Sequence, residues 1–374
     1  MDKNYLYQIF NANKELLQDL DRRQYLQNEF LGLLRRIEVN IPEDCRENFY
    51  KNLKTLRLNF SATTKQQGNI VGIYNVKTNK ICVNENIIND INFSNNVQYV
   101  ENLKDTILRV VYHELSHMAS ATRDEKTNYY ATGFQHIEKT EDGEFLYSEE
   151  FSGMSEGFTE FLTNQAFGKR TYESLSTYGR QINFVEHLTE LTDLETMKKA
   201  YYDNRNGMSP IEKKLEEIDD RNSHMDLYQD IEQDYRSTNN QNENEEYDEY
   251  LLFDIEKRLL HLSSEKAKKL LENNPNMTND EIVDFWKRTA RTMNFPEKLE
   301  LMEEEAAQHK EIEHLRELFS LARQETIENK EKLVQIADIE EATKGVKISD
   351  INNEINNFRT EVQVDKDYNR ETLE

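Results

Sequence analysis

Two histidines four residues apart carry the chemistry most open to reading: His113-Glu114-Leu115-Ser116-His117. On an α-helix such a pair projects from one side, one ring above the other. Two imidazoles so placed can grip one Zn²⁺, and Glu114, one residue round the turn, can hold a water there as general base. The run over 105–112 supplies Ile107, Leu108 and Val111, and Leu115 continues the series. That spacing predicts a helix with one buried face.

A tetrahedral site that keeps one position open for water needs a third protein ligand. Glu156 is the candidate, within Gly153-Met-Ser-Glu-Gly-Phe-Thr-Glu-Phe-Leu-Thr163. This stretch reads as the start of a second helix, with Ser155 as its cap and Phe158, Phe161 and Leu162 as its buried face. Glu160 follows Glu156 by four residues and so points the same way. A ligating His usually donates its other ring N–H to a carboxylate, which fixes its tautomer. Glu160 is placed for that task, on His113.

Together, His113-Glu-Leu-Ser-His117 and Glu156-Gly-Phe-Thr-Glu160 resemble the paired motifs of the gluzincin metallopeptidases, in their thermolysin-like and compact, cytosolic minigluzincin-like groups. The resemblance covers residues 55–210, and its specific parts are the two motifs. It implies a zincin-like fold and one Zn²⁺ per chain, held by His113, His117 and Glu156. It also implies peptide-bond hydrolysis with Glu114 as the base. The chain departs from the thermolysin-like pattern in having Glu160 in place of Asp, Ser155 in place of Asn and a longer spacer between motifs.

The flanking sequence fits this layout. Residues 56–60 alternate as a strand, and 69–84 read as two strands around a turn at Lys77-Thr-Asn-Lys80. A small twisted sheet before the histidine helix is the zincin arrangement. In the spacer, 129–137 and 144–147 are expected to form a hairpin at the cleft rim, turning at Asp142-Gly143. A strand beside the metal often pairs with an extended peptide.

Each residue also has a plainer reading. A lone His-Glu-x-x-His is usually a charged helix face. A closed structural zinc site would favour thiolates, and only Cys45 and Cys82 exist, neither near the motifs. His136 is read as solvated or packed, with a cleft role as the alternative. His187 is read as a packed helix residue, and His224, His261, His309 and His314 as surface residues. Tyr172 and Tyr178 are the named candidates, among 19 tyrosines, for polarising a substrate carbonyl.

The 374-residue chain has room for one full domain and a second region. A net charge of −25 disfavours nucleic acid and anionic membranes as partners and favours basic substrates at short range. Two cysteines give no disulfide framework. The N-terminus, Met1-Asp-Lys-Asn-Tyr, shows no signal peptide, and no membrane span is evident, so a cytoplasmic location is expected.

Three parts are expected. Residues 1–54 are helical, with a stripe of Leu16, Leu20, Leu26, Phe30 and Leu34 that Ile41-Pro42 ends. Residues 55–210 form the α+β catalytic domain, with helices at 181–191 and 194–202. Residues 211–374 are an acidic linker and a helical C-terminal region, with low complexity at 239–246. Its helices are read at 254–262, 265–271, 278–293 and from 296 to about 336. In the last, Ile312, Leu315, Phe319 and Ala322 form a short seam that reads as packing within the chain, with self-association as the alternative. The expected function is a zinc metallopeptidase acting on peptide or protein, selective and intracellular. The other reading is a silent zincin-like scaffold that binds partners through its C-terminal helices; an intact Glu114 argues against it.

Overall fold

The structure is a computed structural model. It describes residues 4–21, 23–61, 71–84, 97–124, 126, 129–139, 145–147, 151–168, 178–203, 207–219, 225–239, 249–274, 277–293, 317–318 and 320–335. Of the residues read above, the Asp142-Gly143 turn, Tyr172, His224, His309, His314, Ile312, Leu315, Phe319 and the side chain of His136 lie outside these. The fold is α+β and mostly helical. Contacts divide it into two units, residues 1–213 with 228–246, and residues 214–227 with 247–374.

The first unit opens with helices α1 (Tyr5–Ala12), α2 (Lys14–Asp21), α3 (Gln24–Asn40) and α4 (Arg46–Leu53). The leucine stripe is fully buried, but the helices that carry it break between Asp21 and Gln24, before Ile41-Pro42. Asn13 makes an earlier break, between α1 and α2. Its buried side chain donates to Leu53 O and Leu56 O at 2.8 and 3.0 Å and accepts from Leu16 N–H. An Asn that caps the next helix and satisfies two loop carbonyls is worth more at a kink than in a helix interior.

Three strands follow: β1 (Arg57–Ser61), β2 (Gly72–Asn75) and β3 (Lys80–Asn84). β3 is central, parallel to β1 and antiparallel to β2. The expected turn joins β2 to β3. Asn79 takes its left-handed position, φ 51°, and its amide donates to Asn52 O and Thr55 Oγ1. Asn tolerates this conformation better than other non-glycine residues. Leu58, Ile81 and Val83 are buried.

Helix α5 (Val97–Ser120) carries the histidine pair, and every side chain from Val111 to Ser120 is buried. A four-stranded antiparallel sheet comes next: β4 (Thr122–Asp124), β5 (Tyr129–Thr132), β6 (Gln135–Lys139) and β7 (Phe145–Tyr147). The stretch 129–137, expected as one strand, is two. It folds back at Gly133, whose φ of +56° suits glycine, and whose Cβ position lies 2.8 Å from the Tyr201 ring and 2.9 Å from Ser155 Oγ.

Helices α6 (Ser152–Phe167), α7 (Gly179–Leu191) and α8 (Leu194–Tyr202) follow: α6 packs between α5 and α7, and α8 touches α5 and α7. Gly157 lets α6 meet α7 closely: a Cβ there would lie 2.6 Å from Gln181 O. Helix α9 (Ser209–Ile218) precedes α10 (Met225–Asn239), which lies in the stretch expected as acidic linker. Its apolar residues Tyr228 and Ile231 are buried in the first unit, and so are Glu232 and Asp234.

The second unit contains α11 (Glu249–Asn273), α12 (Asn279–Thr292) and a helix over 320–335. Two short helices were expected where α11 runs unbroken. Ser263 and Ser264 are buried within it, and Ser264 Oγ donates back to Leu260 O, so the serine pair does not end the helix. Thr278 and Glu281 form a capping box at the start of α12. Trp286, Phe285, Ile282, Leu260 and Leu271 form the core, with Ala322, Ile327 and Leu333 against it. Ala322, from the expected seam, thus packs within its own unit. No helix of the described residues is long and apolar enough to cross a membrane.

Candidate metal centre

α5 presents His113 and His117 toward α6, which presents Glu156. His113 Nε2 lies 3.1 Å from Glu156 Oε2, His117 Nε2 lies 3.5 Å from Glu156 Oε1, and the two Nε2 atoms are 3.3 Å apart. Ligand atoms bound tetrahedrally at 2.0–2.1 Å stand about 3.3 Å from each other. The two ring nitrogens and the carboxylate, one oxygen toward each ring, therefore stand at about the spacing of ligands around one zinc-sized ion. No other such group of three His, Cys, Asp or Glu side chains occurs among the described residues.

The hydrogen bonding sharpens this fit. His113 Nδ1 donates to Glu160 Oε2 at 3.0 Å. In the neutral ring that leaves Nε2 with a lone pair, aimed at a carboxylate oxygen and at a second imidazole nitrogen. A cation at that point would meet all three groups at once, and so would a proton carried by one of the rings. Burial opposes a charge on His113, but Glu156 and Glu160 outweigh it and push its pKa up to about 10. Burial likewise acts to raise Glu156, and the two imidazoles overcome it and hold this carboxyl well below the usual range. Glu156 keeps 22% of its side chain accessible, more than either histidine.

Glu114 is buried beside the ligands, and burial raises its pKa. It lies under β2: a Cβ on Gly72 would stand 3.0 Å from its Oε1, and the Tyr74 backbone N–H donates to it. Glu160, expected to support His113, has one oxygen 3.0 Å from His113 Nδ1. Its other oxygen accepts from Arg109 Nη2 at 2.6 Å. Burial works to raise Glu160, but His113 and Arg109 hold it below its ordinary value.

The remaining supports are tertiary. Thr132 and Ser120 hydroxyls both donate to His117 O at 2.9 Å, which ties β5 to the end of the histidine helix. Ser155, expected as the cap of α6, is instead buried one turn inside it, and its Oγ accepts from Phe134 N–H. The first turn of α6 is capped from α10, where Glu232 Oε2 accepts from Gly153 N–H at 2.8 Å. Tyr178 stacks on His113 with centroids 6.0 Å apart, and Tyr235 of α10 stacks on Tyr178 at 6.3 Å. Glu156 first and burial second push the Tyr178 phenol far above its usual pKa, so it keeps its proton.

His187 is fully buried in α7, as expected. His261 is in the second unit, 3.5 Å from Asp219. Cys45 is buried and Cys82 partly so; neither belongs to the centre. Sequence reasoning missed Arg109, Glu232 and Tyr235. None carries a local signal: each has polar or charged residues three or four positions away along its helix, so it reads as part of a solvated face. Compared with protein-family models, with curated proteins and with solved structures, the chain matches none.

Proposed function

We propose that the protein is a zinc-dependent metallopeptidase of gluzincin type, with a zincin-like catalytic unit. The observation that carries this reading is the convergence of His113 Nε2, His117 Nε2 and Glu156 at 3.1–3.5 Å, with a buried carboxylate, Glu114, alongside. Zn²⁺ held by these atoms supplies Lewis acidity toward a scissile carbonyl and makes water nucleophilic at neutral pH. Glu114 takes a proton from the attacking water and returns it to the leaving nitrogen; its burial strengthens it as a base. Tyr178, protonated and beside Glu156, donates to the carbonyl oxygen as negative charge develops there. β2 has β3 on one side and, among the described residues, no strand on the other. An extended peptide pairs with that free edge, above Glu114. Action in the cytoplasm, on one or a few proteins, is part of the proposal.

Glu114→Gln tests it. The variant keeps the ligands, so it binds Zn²⁺ like the parent, while cleavage of a diverse peptide library falls by at least about 10²-fold. Undiminished cleavage would remove Glu114 as the base. Full zinc occupancy with no cleavage by either protein would favour the scaffold reading.

A further inference from the structure

Arg109 sits one turn ahead of His113 on α5 and is 5% exposed. A buried guanidinium is costly unless its donors are met. Here they are met at one end of α6. Nη2 donates to Glu160 Oε1 at 2.6 Å and to Asn164 Oδ1, and Nη1 donates to Gly168 O at 3.1 Å. Glu160 Oε2 is the acceptor of His113 Nδ1–H. The two histidines differ in this respect: His117 Nδ1 is buried with no hydrogen-bond partner among the described residues. The polar control of ring orientation is therefore concentrated on His113 and passes through Glu160. A glutamate has one more rotatable bond than an aspartate, so it needs a second anchor to hold one oxygen on target. A planar fork that also grips neighbouring backbone provides that anchor.

We propose that Arg109 is a positioning residue for the metal: by holding Glu160 Oε1 it aims Oε2 at His113 Nδ1 and sets the ring for coordination. This rests on the metal reading above. Electrostatics alone predicts the opposite sign for its removal, because deleting a cation beside a divalent ion should tighten binding. A loss of affinity on removing Arg109 thus reports orientation rather than charge.

The test measures Zn²⁺ affinity by chelator competition for the full chain, Arg109→Met, Arg109→Lys, Glu160→Gln and the Arg109→Met/Glu160→Gln double variant. Arg109→Met and Glu160→Gln should each weaken binding by about 10–100-fold. The double variant should be within about threefold of the weaker single one, because both act on one contact. Arg109→Lys keeps the charge without the fork, and should shift the visible absorption of the Co²⁺-loaded protein as the His113 ring turns. Parent-like affinity in Arg109→Met, or losses that multiply in the double variant, would overturn the proposal. Should Arg109→Met fail to fold, Arg109→Lys decides: parent-like affinity with an unchanged cobalt spectrum overturns it. A parent chain that takes up neither Zn²⁺ nor Co²⁺ would instead remove the metal reading, and this proposal with it.

Discussion

Gly72 lies directly over Glu114. A Cβ built on Gly72 would stand 3.0 Å from Glu114 Oε1 and 2.6 Å from Val110 Cγ1. Strand β2 can approach the histidine helix this closely only because one residue lacks a side chain. Gly72→Ala should therefore push β2 and Glu114 apart while leaving His113, His117 and Glu156 in place. On the proposed function, with Glu114 as the base, the expected result is a fall in peptide hydrolysis of about tenfold or more, since small misplacements of a catalytic group are costly. Zinc affinity should stay within about threefold of the parent, because no ligand contact changes. Steady-state kinetics beside chelator competition checks both. Equal losses in both measurements would mean that β2 holds the ligands and not the base alone.

If the centre binds metal as proposed, protons and metal compete for His113. Burial disfavours the imidazolium, yet Glu156 and Glu160 more than offset this and place its pKa at about 10 in the metal-free protein. Metal binding must displace that proton, so apparent zinc affinity should rise with pH, by up to about tenfold per unit between about pH 7 and 10. The same proton stabilises the metal-free fold. The folded pKa is raised above the unfolded value of about 6.5. The contribution is therefore full below that value and is lost as pH climbs through about 10. Competition titrations across this range give the slope, and thermal melts of the metal-free chain give the stability. A flat affinity between pH 7 and 9 would show that His113 is neutral before metal arrives.

The centre was legible where its logic is local. His113 and His117 share a helix side because they are four apart, and the same rule aligns Glu156 with Glu160. The strand pair around 77–80 announced itself by apolar runs on either side of a polar turn. What remained illegible depends on residues distant in sequence. Arg109 looks like a solvated charge until α6 brings Glu160, Asn164 and Gly168 to it. Ser155 has the type and place of a helix cap, but Glu232, 79 positions away from Gly153, already serves the first turn. Asn13 and Gly133 break regular elements through contacts with Leu53, Leu56, Ser155 and Tyr201 that no local pattern encodes.

α10 looks dispensable by composition, as part of a strongly acidic stretch, and its contacts say otherwise. Glu232 accepts from Gly153 N–H, three residues before Glu156. Asp234 accepts from Gln181, whose backbone oxygen abuts Gly157. Tyr235 lies so near Gly153 that a Cβ there would be 2.7 Å from its own. These contacts bracket the turn that carries Glu156. Glu232→Ala removes a cap from that turn and should cost about 1–2 kcal/mol in urea unfolding, with a measurable loss of zinc affinity. Ending the chain at Lys213 removes all three residues together, so the fragment should unfold more readily than the full chain and bind zinc far more weakly. Chelator competition and urea melts of the full chain, Glu232→Ala and the fragment form a graded series. Parent-like zinc affinity in a folded 1–213 fragment would show that α5 and α6 hold Glu156 without α10.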